Sequence, residues 1–124
     1  MSSAPNIIIA LEDHERLLDV IAASEGDGVA AQLETELERA SVRPLRDVPA
    51  DVVVMNSEIE WEELVTGQRR QLRLVYPNEA DASLGRVSIL APLGCALLGL
   101  RVDQEIDWTM PGGPRRLRVL SVAR

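Results

Sequence analysis

The sequence predicts an α+β fold, in which a short antiparallel helical hairpin precedes an antiparallel sheet domain with one short helix. Two patterns predict this order. Apolar residues recur at helical spacing in roughly the first 40 positions, and after the connector they alternate with polar residues as in half-buried strands. The connector, residues 43–51, contains two prolines. We therefore expect a hairpin of residues 1–48 and a sheet domain of residues 49–124.

Two amphipathic helices are predicted for the hairpin. The first begins at Leu11, where acidic residues occupy the first turn and favour the positive end of the helix dipole. Its apolar face is formed by Leu11, Leu17, Leu18, Ile21 and Ala22. Glycines in residues 24–28 end it, and Asp27 could cap the second helix. The second apolar face is formed by Val29, Leu33, Leu37 and Ala40. At about 13 residues per helix, the arm is only about 20 Å long.

Period-two alternation predicts four to six antiparallel strands in the second half. The segments with strand character are residues 51–56, 58–64, 71–76, 86–90, 104–110 and 115–122. Side chains expected on the core face are Ile59, Trp61, Leu72, Leu74, Tyr76, Val87, Ile89, Ile106, Trp108 and Met110. Residues 66–68 and 111–114 have the glycine and proline content of turns. Glutamates of one strand can face arginines of its neighbour.

The short helix is predicted over Pro92–Leu98. Proline suits the first helical position, because its missing N–H would have no partner there. Gly94 and Ala96 are small enough for close packing, and Gly99 stands where a left-handed residue ends a helix.

The charge of the chain is strongly asymmetric. Residues 1–51 hold 11 acids and 4 arginines, which accounts for the whole net charge of −7, whereas residues 52–124 hold 9 acids and 9 arginines. An acidic half repels phosphates and favours a basic protein surface or a cation, although a solvated helical face explains it equally well. Acids also neutralise the surroundings of Arg115, Arg116 and Arg118. We therefore expect no sequence-specific binding to nucleic acid.

Composition points to the cytoplasm. No apolar run approaches about 20 residues, so no membrane span is expected. The first six residues lack the basic region of a secretory signal. The single cysteine, Cys95, permits no internal disulfide and fits a reducing compartment.

The sequence offers no catalytic group, cofactor site or metal site. His14 is the only histidine and reads as a surface residue. Cys95 reads as a small apolar core residue, and Gly112–Gly113 as a turn that lacks the spacing and lysine of a phosphate loop. Glu25 and Asp27 at the hairpin tip could help to hold Mg²⁺ together with a partner, or they could be plain solvated turn residues.

The stretch LAPLGCALLGLRVDQEIDW, followed by PGG and LRVLSV, resembles the C-terminal domain of the Gre-type transcript-cleavage factors of bacterial RNA polymerase. DVVVMNSEIEWEEL, LVYP and LAPLGCALLGLRV further resemble the Rnk family, the regulators of nucleoside diphosphate kinase, in which that domain follows a short helical hairpin. The resemblance spans nearly the whole chain in order.

This resemblance implies an FKBP-like fold for residues 50–124, a cytoplasmic location and binding to RNA polymerase. The Gre docking loop at the rim of the polymerase secondary channel corresponds to Leu90, Ala91 and Pro92, where Gre factors carry Asp-Ser-Pro. Gre factors place acids of a long coiled coil at the catalytic metal. The arm predicted here would leave Glu25 and Asp27 short of that point, so we expect a non-catalytic regulator that competes with Gre factors.

Three alternatives stay open at this stage. The chain could be a transcript-cleavage factor of the Gre type, a direct regulator of nucleoside diphosphate kinase, or an adaptor for another partner. Prolyl isomerase activity is not expected, because fold does not carry function and the aromatic residues are only Trp61, Tyr76 and Trp108.

Overall fold

A computed structural model describes residues 7–24, 28–110 and 113–124, with the backbone alone for residues 108–110, 113 and 114. The elements follow one another as β1 (Ile8–Ala10), α1 (Leu11–Ala23), α2 (Gly28–Arg39), β2 (Ser41–Arg43), β3 (Glu58–Glu63), β4 (Gln68–Val75), β5 (Arg86–Ser88), α3 (Pro92–Leu97), β6 (Glu105–Met110) and β7 (Gly113–Ala123). The predicted α+β class, with a helical hairpin ahead of a sheet domain that carries one short helix, is confirmed.

The hairpin buries only part of the face predicted for its first helix. Leu17 on α1 and Leu33 on α2 are fully buried, and Val29 and Ile21 pack partly against them. Leu11 and Leu18, however, are 42% and 45% exposed, so their prediction as packing residues was wrong. Successive residues of a helix turn by about 100°, which puts Leu17 about 120° away from Leu11. The sequence therefore holds two apolar stripes on α1, and only one faces the core.

The root of the hairpin contains a pair of strands that the sequence did not predict. β1 and β2 run parallel, with Ile9 opposite Val42, and the Ser41 N–H donates to the Ile7 carbonyl at 2.9 Å. Three-residue strands are too short to show a period. The connector also differs from the extended segment expected, since it begins within β2 and contains a 3₁₀ turn over Leu45–Asp47.

The main sheet has five strands in the order β5-β4-β3-β7-β6. Its pairs are antiparallel except β4 and β5, which run parallel with Leu74 opposite Val87, so the prediction of a wholly antiparallel sheet was wrong at this edge. The parallel pairing of β4 and β5 results from the path of residues 76–85. Two 3₁₀ turns, Pro77–Glu79 and Ala82–Leu84, carry the chain back before β5 starts.

The β-branched segment at residues 51–56 is buried but is not a regular strand. Val52 forms an isolated antiparallel bridge with Arg101, and the Val53 N–H donates to the Leu100 carbonyl at 2.8 Å. The segment ends at Asn56, which has a φ of 68°. The segment is apolar because it is buried on several sides, and a buried strand has the same apolar run in sequence.

The short helix α3 packs very closely on β5. A Cβ at Gly94 would lie 2.3 Å from the Ser88 carbonyl oxygen, so only glycine fits there. Gly99 has a φ of +81°, as its predicted role at the helix end requires.

One apolar core joins the hairpin to the sheet. Leu17 and Leu33 belong to the same buried cluster as Ile59, Leu74 and Leu97. Trp61, Leu72 and Tyr76 face this core as predicted, whereas the side chains of Trp108 and Met110 are not among those that the structure describes. Among the described residues, no helix is long and apolar enough to cross a bilayer.

Candidate partner-binding surface

The segment Leu90–Pro92, singled out by the sequence, forms a tight turn between β5 and α3. The Ala91 N–H donates to the Ser88 carbonyl at 2.9 Å, and the Leu90 N–H donates to Ser88 Oγ at 3.0 Å. Leu90 and Ala91 are half-buried, while Pro92 is exposed at the first helical position. The structure thus holds these three residues in one preformed turn.

Two contacts keep this turn rigid. The Ile89 N–H donates to the Val75 carbonyl at 2.9 Å, which ties the start of the turn to β4. The Ala91 carbonyl accepts from the Cys95 N–H at 3.0 Å, which ties its end to α3. A preformed turn loses little conformational entropy when a partner binds.

The nearest thiol to this turn in the sequence, Cys95, lies on α3. Cys95 is buried, and burial, followed by the negative charge of Glu36, raises the pKa of its thiol to about 11. A raised pKa favours the thiol at neutral pH, whereas the thiolate is the nucleophilic form. The predicted role of Cys95 as a small apolar core residue fits this position.

A polar cluster around Asp13 and Tyr76 fixes the hairpin to the sheet domain. Asp13 of α1 accepts hydrogen bonds from the Met55 N–H at 3.1 Å and from the Tyr76 hydroxyl at 3.2 Å. The Arg16 guanidinium lies over the Tyr76 ring, 3.9 Å from its centroid. Burial raises the pKa of Asp13 against the opposing effect of these hydrogen bonds. Burial and the Asp13 carboxylate also raise the pKa of Tyr76.

Sequence reasoning missed this cluster and treated Asp13 only as a first-turn acid. The available signal was Asp13 and Arg16 three residues apart, which places both side chains on one face of α1. Nothing in the sequence pairs that face with Tyr76.

The connector is tied to the rest of the molecule at both ends. Glu12 Oε1 accepts from the Leu45 N–H at 2.9 Å. The backbone N–H of Glu12 itself, followed by this bond from Leu45, lowers the pKa of the Glu12 carboxyl. Arg124 donates to the carbonyls of Val48 and Pro49, the latter at 2.7 Å. These bonds tie the connector to α1 on one side and to the C-terminal residue on the other.

Opposite charges alternate across the outer face of the main sheet, as the sequence predicted. Arg73 pairs with Glu58 at 2.5 Å, and Arg116 and Arg118 both bind Glu105, at 3.0 and 2.6 Å. Hydrogen bonds from Arg118 and, to a smaller extent, from Arg116 lower the pKa of Glu105. These arginines are locally neutralised, so they make a poor surface for phosphates.

The tip residues Glu25 and Asp27 lie outside the described residues, as do the predicted capping by Asp27 and the turn at Gly112. His14 is half-buried on α1. Within residues 7–24, 28–110 and 113–124, no three histidine, cysteine or acidic side chains come together as metal ligands would.

Comparison with known proteins identifies both parts of the chain. Residues 48–124 match the family "Transcription elongation factor, GreA/GreB, C-term", and residues 5–42 match "Rnk N-terminus". The regulator of nucleoside diphosphate kinase of Escherichia coli K12 is 42% identical over 90% of this chain and 83% of its own length. The transcription elongation factor GreA of Solidesulfovibrio magneticus is 30% identical over 96% of this chain and 79% of its own.

Solved structures agree with these matches. The GreA/GreB elongation factor from Nitrosomonas europaea is 38% identical, with a TM-score of 0.83 over 98% of this chain and 100% of that one. Gfh1 of Thermus thermophilus, at 22% identity and a TM-score of 0.54, shares the fold. The resemblance inferred from sequence is confirmed: the chain belongs to the family of the regulators of nucleoside diphosphate kinase, in which an Rnk N-terminus precedes the C-terminal domain of GreA and GreB.

Proposed function

We propose that the protein is a non-catalytic transcription regulator that binds bacterial RNA polymerase at the rim of the secondary channel and competes there with Gre-type factors. Membership of the GreA/GreB superfamily supports a role in transcription. The short length of the hairpin supports the non-catalytic role and the competition with Gre-type factors.

The two helices of the hairpin have 13 and 12 residues, so each spans only about 20 Å. The resemblance implies that Gre factors need a much longer coiled coil than this one, because their acidic residues must reach the catalytic metal of the polymerase. An arm of this length can occupy the mouth of a channel and exclude a longer arm without supplying Glu25 or Asp27 to the chemistry.

Leu90, Ala91 and Pro92 are the proposed docking residues. Their turn is preformed and presents Pro92 to solvent. Because Leu90 and Ala91 replace the polar pair of the Gre motif, we expect the contact to depend on shape and apolar burial more than on charge.

A direct effect on nucleoside diphosphate kinase is the second candidate, and the name of the Escherichia coli relative favours it. The two candidates separate in one experiment, in which the full chain is immobilised and offered purified core polymerase or purified kinase at equal concentrations. We expect retention of the polymerase alone. Retention of the kinase alone would contradict the proposal and support direct regulation of nucleoside diphosphate kinase.

The non-catalytic role is tested on backtracked elongation complexes. The protein should give no transcript cleavage above buffer, and it should reduce the cleavage that added GreB stimulates. Pro92→Ala should weaken this competition, whereas Pro77→Ala, an exposed proline that also begins a short helix, is the matched control. Cleavage by the protein itself that is lost in Asp27→Ala would contradict the proposal.

A further inference from the structure

The outer face of α1 carries an apolar ridge. Leu11 and Leu18 are 42% and 45% exposed, and Ala22 is exposed as well. At about 100° per residue these three side chains lie within about 40° of one another around the helix axis, well away from buried Leu17. The ridge runs for about 16 Å along the helix.

Carboxylates border the ridge on one side. By the same helical geometry, Glu15 lies about 40° and Asp19 about 80° around the axis from Leu11, and both are exposed. Arg16, the one arginine within Leu11–Ala23, lies about 140° around the axis from Leu11 and stacks on the Tyr76 ring. An exposed apolar strip with a negative border complements a surface that places cations beside apolar side chains.

We propose that this ridge is a second contact surface, and that it binds an amphipathic segment of the polymerase in which arginine or lysine flanks apolar residues. The inference rests on the proposed function, because it takes RNA polymerase as the partner. Charge decides between the possible occupants. An antiparallel two-fold dimer through the ridge would oppose Glu15 and Asp19 to their own copies, and nucleic acid would be repelled.

The size of the ridge fits a supporting role. Two leucines and an alanine bury far less than the roughly 800 Å² per partner of a stable interface. The ridge therefore strengthens and orients a complex that the docking turn at Leu90–Pro92 also holds, and its loss should weaken binding without abolishing it.

The test measures the affinity of the labelled full chain for core polymerase by fluorescence anisotropy across a salt series. Leu18→Ser should weaken binding roughly 5- to 10-fold, as expected for one well-packed interface side chain. Leu84→Ser is the matched control, because Leu84 is a leucine of the sheet domain that is 62% exposed. The double variant Glu15→Gln/Asp19→Gln should bind more weakly at low salt and lose part of the salt dependence.

Each outcome is decisive. Binding of Leu18→Ser within twofold of wild type, or equal weakening by Leu84→Ser, would overturn the ridge while leaving the proposed function intact. Absence of wild-type binding would overturn the proposed function and the ridge together. A wild-type dimer in light scattering that Leu18→Ser dissociates would assign the ridge to a second copy and also overturn the inference.

Discussion

The Tyr76 hydroxyl donates a hydrogen bond to Asp13 Oδ1 across 3.2 Å, from the end of β4 to the first turn of α1. The two residues are 63 positions apart in the chain. The Met55 N–H also donates to Asp13, and the Arg16 guanidinium lies over the Tyr76 ring. This polar contact adds directionality to the apolar packing between hairpin and sheet, because hydrogen bonds depend on angle as well as on distance.

Tyr76→Phe tests the strength of this contact. The variant keeps the ring under Arg16 but removes the donor to a partly buried carboxylate, so the free energy of unfolding should fall by about 1 kcal/mol. Urea denaturation measures it. Arg16→Ala removes the other contact of the same ring and keeps the hydroxyl. Full wild-type stability of Tyr76→Phe would show that the hydrogen bond is dispensable.

Asp13 should make folding less favourable as the pH rises through the range in which it ionises. Its pKa is raised in the folded state, so the folded state holds the proton more tightly than the unfolded chain, whose aspartates titrate near about 3.9. The stability of Asp13→Asn relative to wild type should therefore increase from about pH 4 upwards. Urea unfolding of both proteins at several pH values measures this difference.

The control for this pH series is Asp19→Asn, which removes a charge from the exposed side of the same helix. A difference between wild type and Asp13→Asn that stays constant with pH, or falls, would contradict the raised pKa.

Gly94→Ala should destabilise the protein by about 2–3 kcal/mol, because its Cβ would lie 2.3 Å from the Ser88 carbonyl oxygen, which is backbone and cannot move aside easily. Thermal and urea unfolding measure the loss. Gly28→Ala is the matched control, since a Cβ there meets nothing within 4 Å and alanine favours helix. Equal stability of the two variants would refute the close packing of α3.

Cys95 should react with a disulfide reagent at least about 100-fold more slowly in the native protein than in urea at the same pH. The rise of its pKa to about 11 lowers the thiolate fraction, and burial blocks access. The absorbance of the released thiol follows the reaction. Rapid stoichiometric labelling of the native protein would show that α3 opens readily.

The sequence predicted elements where local pattern and packing agree. The alternation around Ile59 and Trp61 gave β3, and Pro92 with Gly99 gave the ends of α3 nearly to the residue. Where several surfaces cover one segment, the pattern misled: Val52 to Met55 are buried without forming a regular strand.

The candidate site was predictable only in part. The segment Leu90–Pro92 could be singled out through its resemblance to the Gre docking loop. The Asp13–Tyr76 contact could not, because it joins distant positions whose spacing in the sequence carries no signal. The position of Leu18 shows the same limit on a single helix. A periodic apolar residue indicates a face, whereas the tertiary neighbours decide whether that face is covered.

The pairing of β1 with β2 fastens the entrance and the exit of the hairpin to each other at its base. The hairpin is attached by this pairing and by the packing of Leu17 and Leu33 in the core. Whole turns inserted equally after Leu17 in α1 and before Leu33 in α2 would leave these attachments in place, so evolution or an engineer could lengthen the hairpin without changing how it is fastened to the sheet domain.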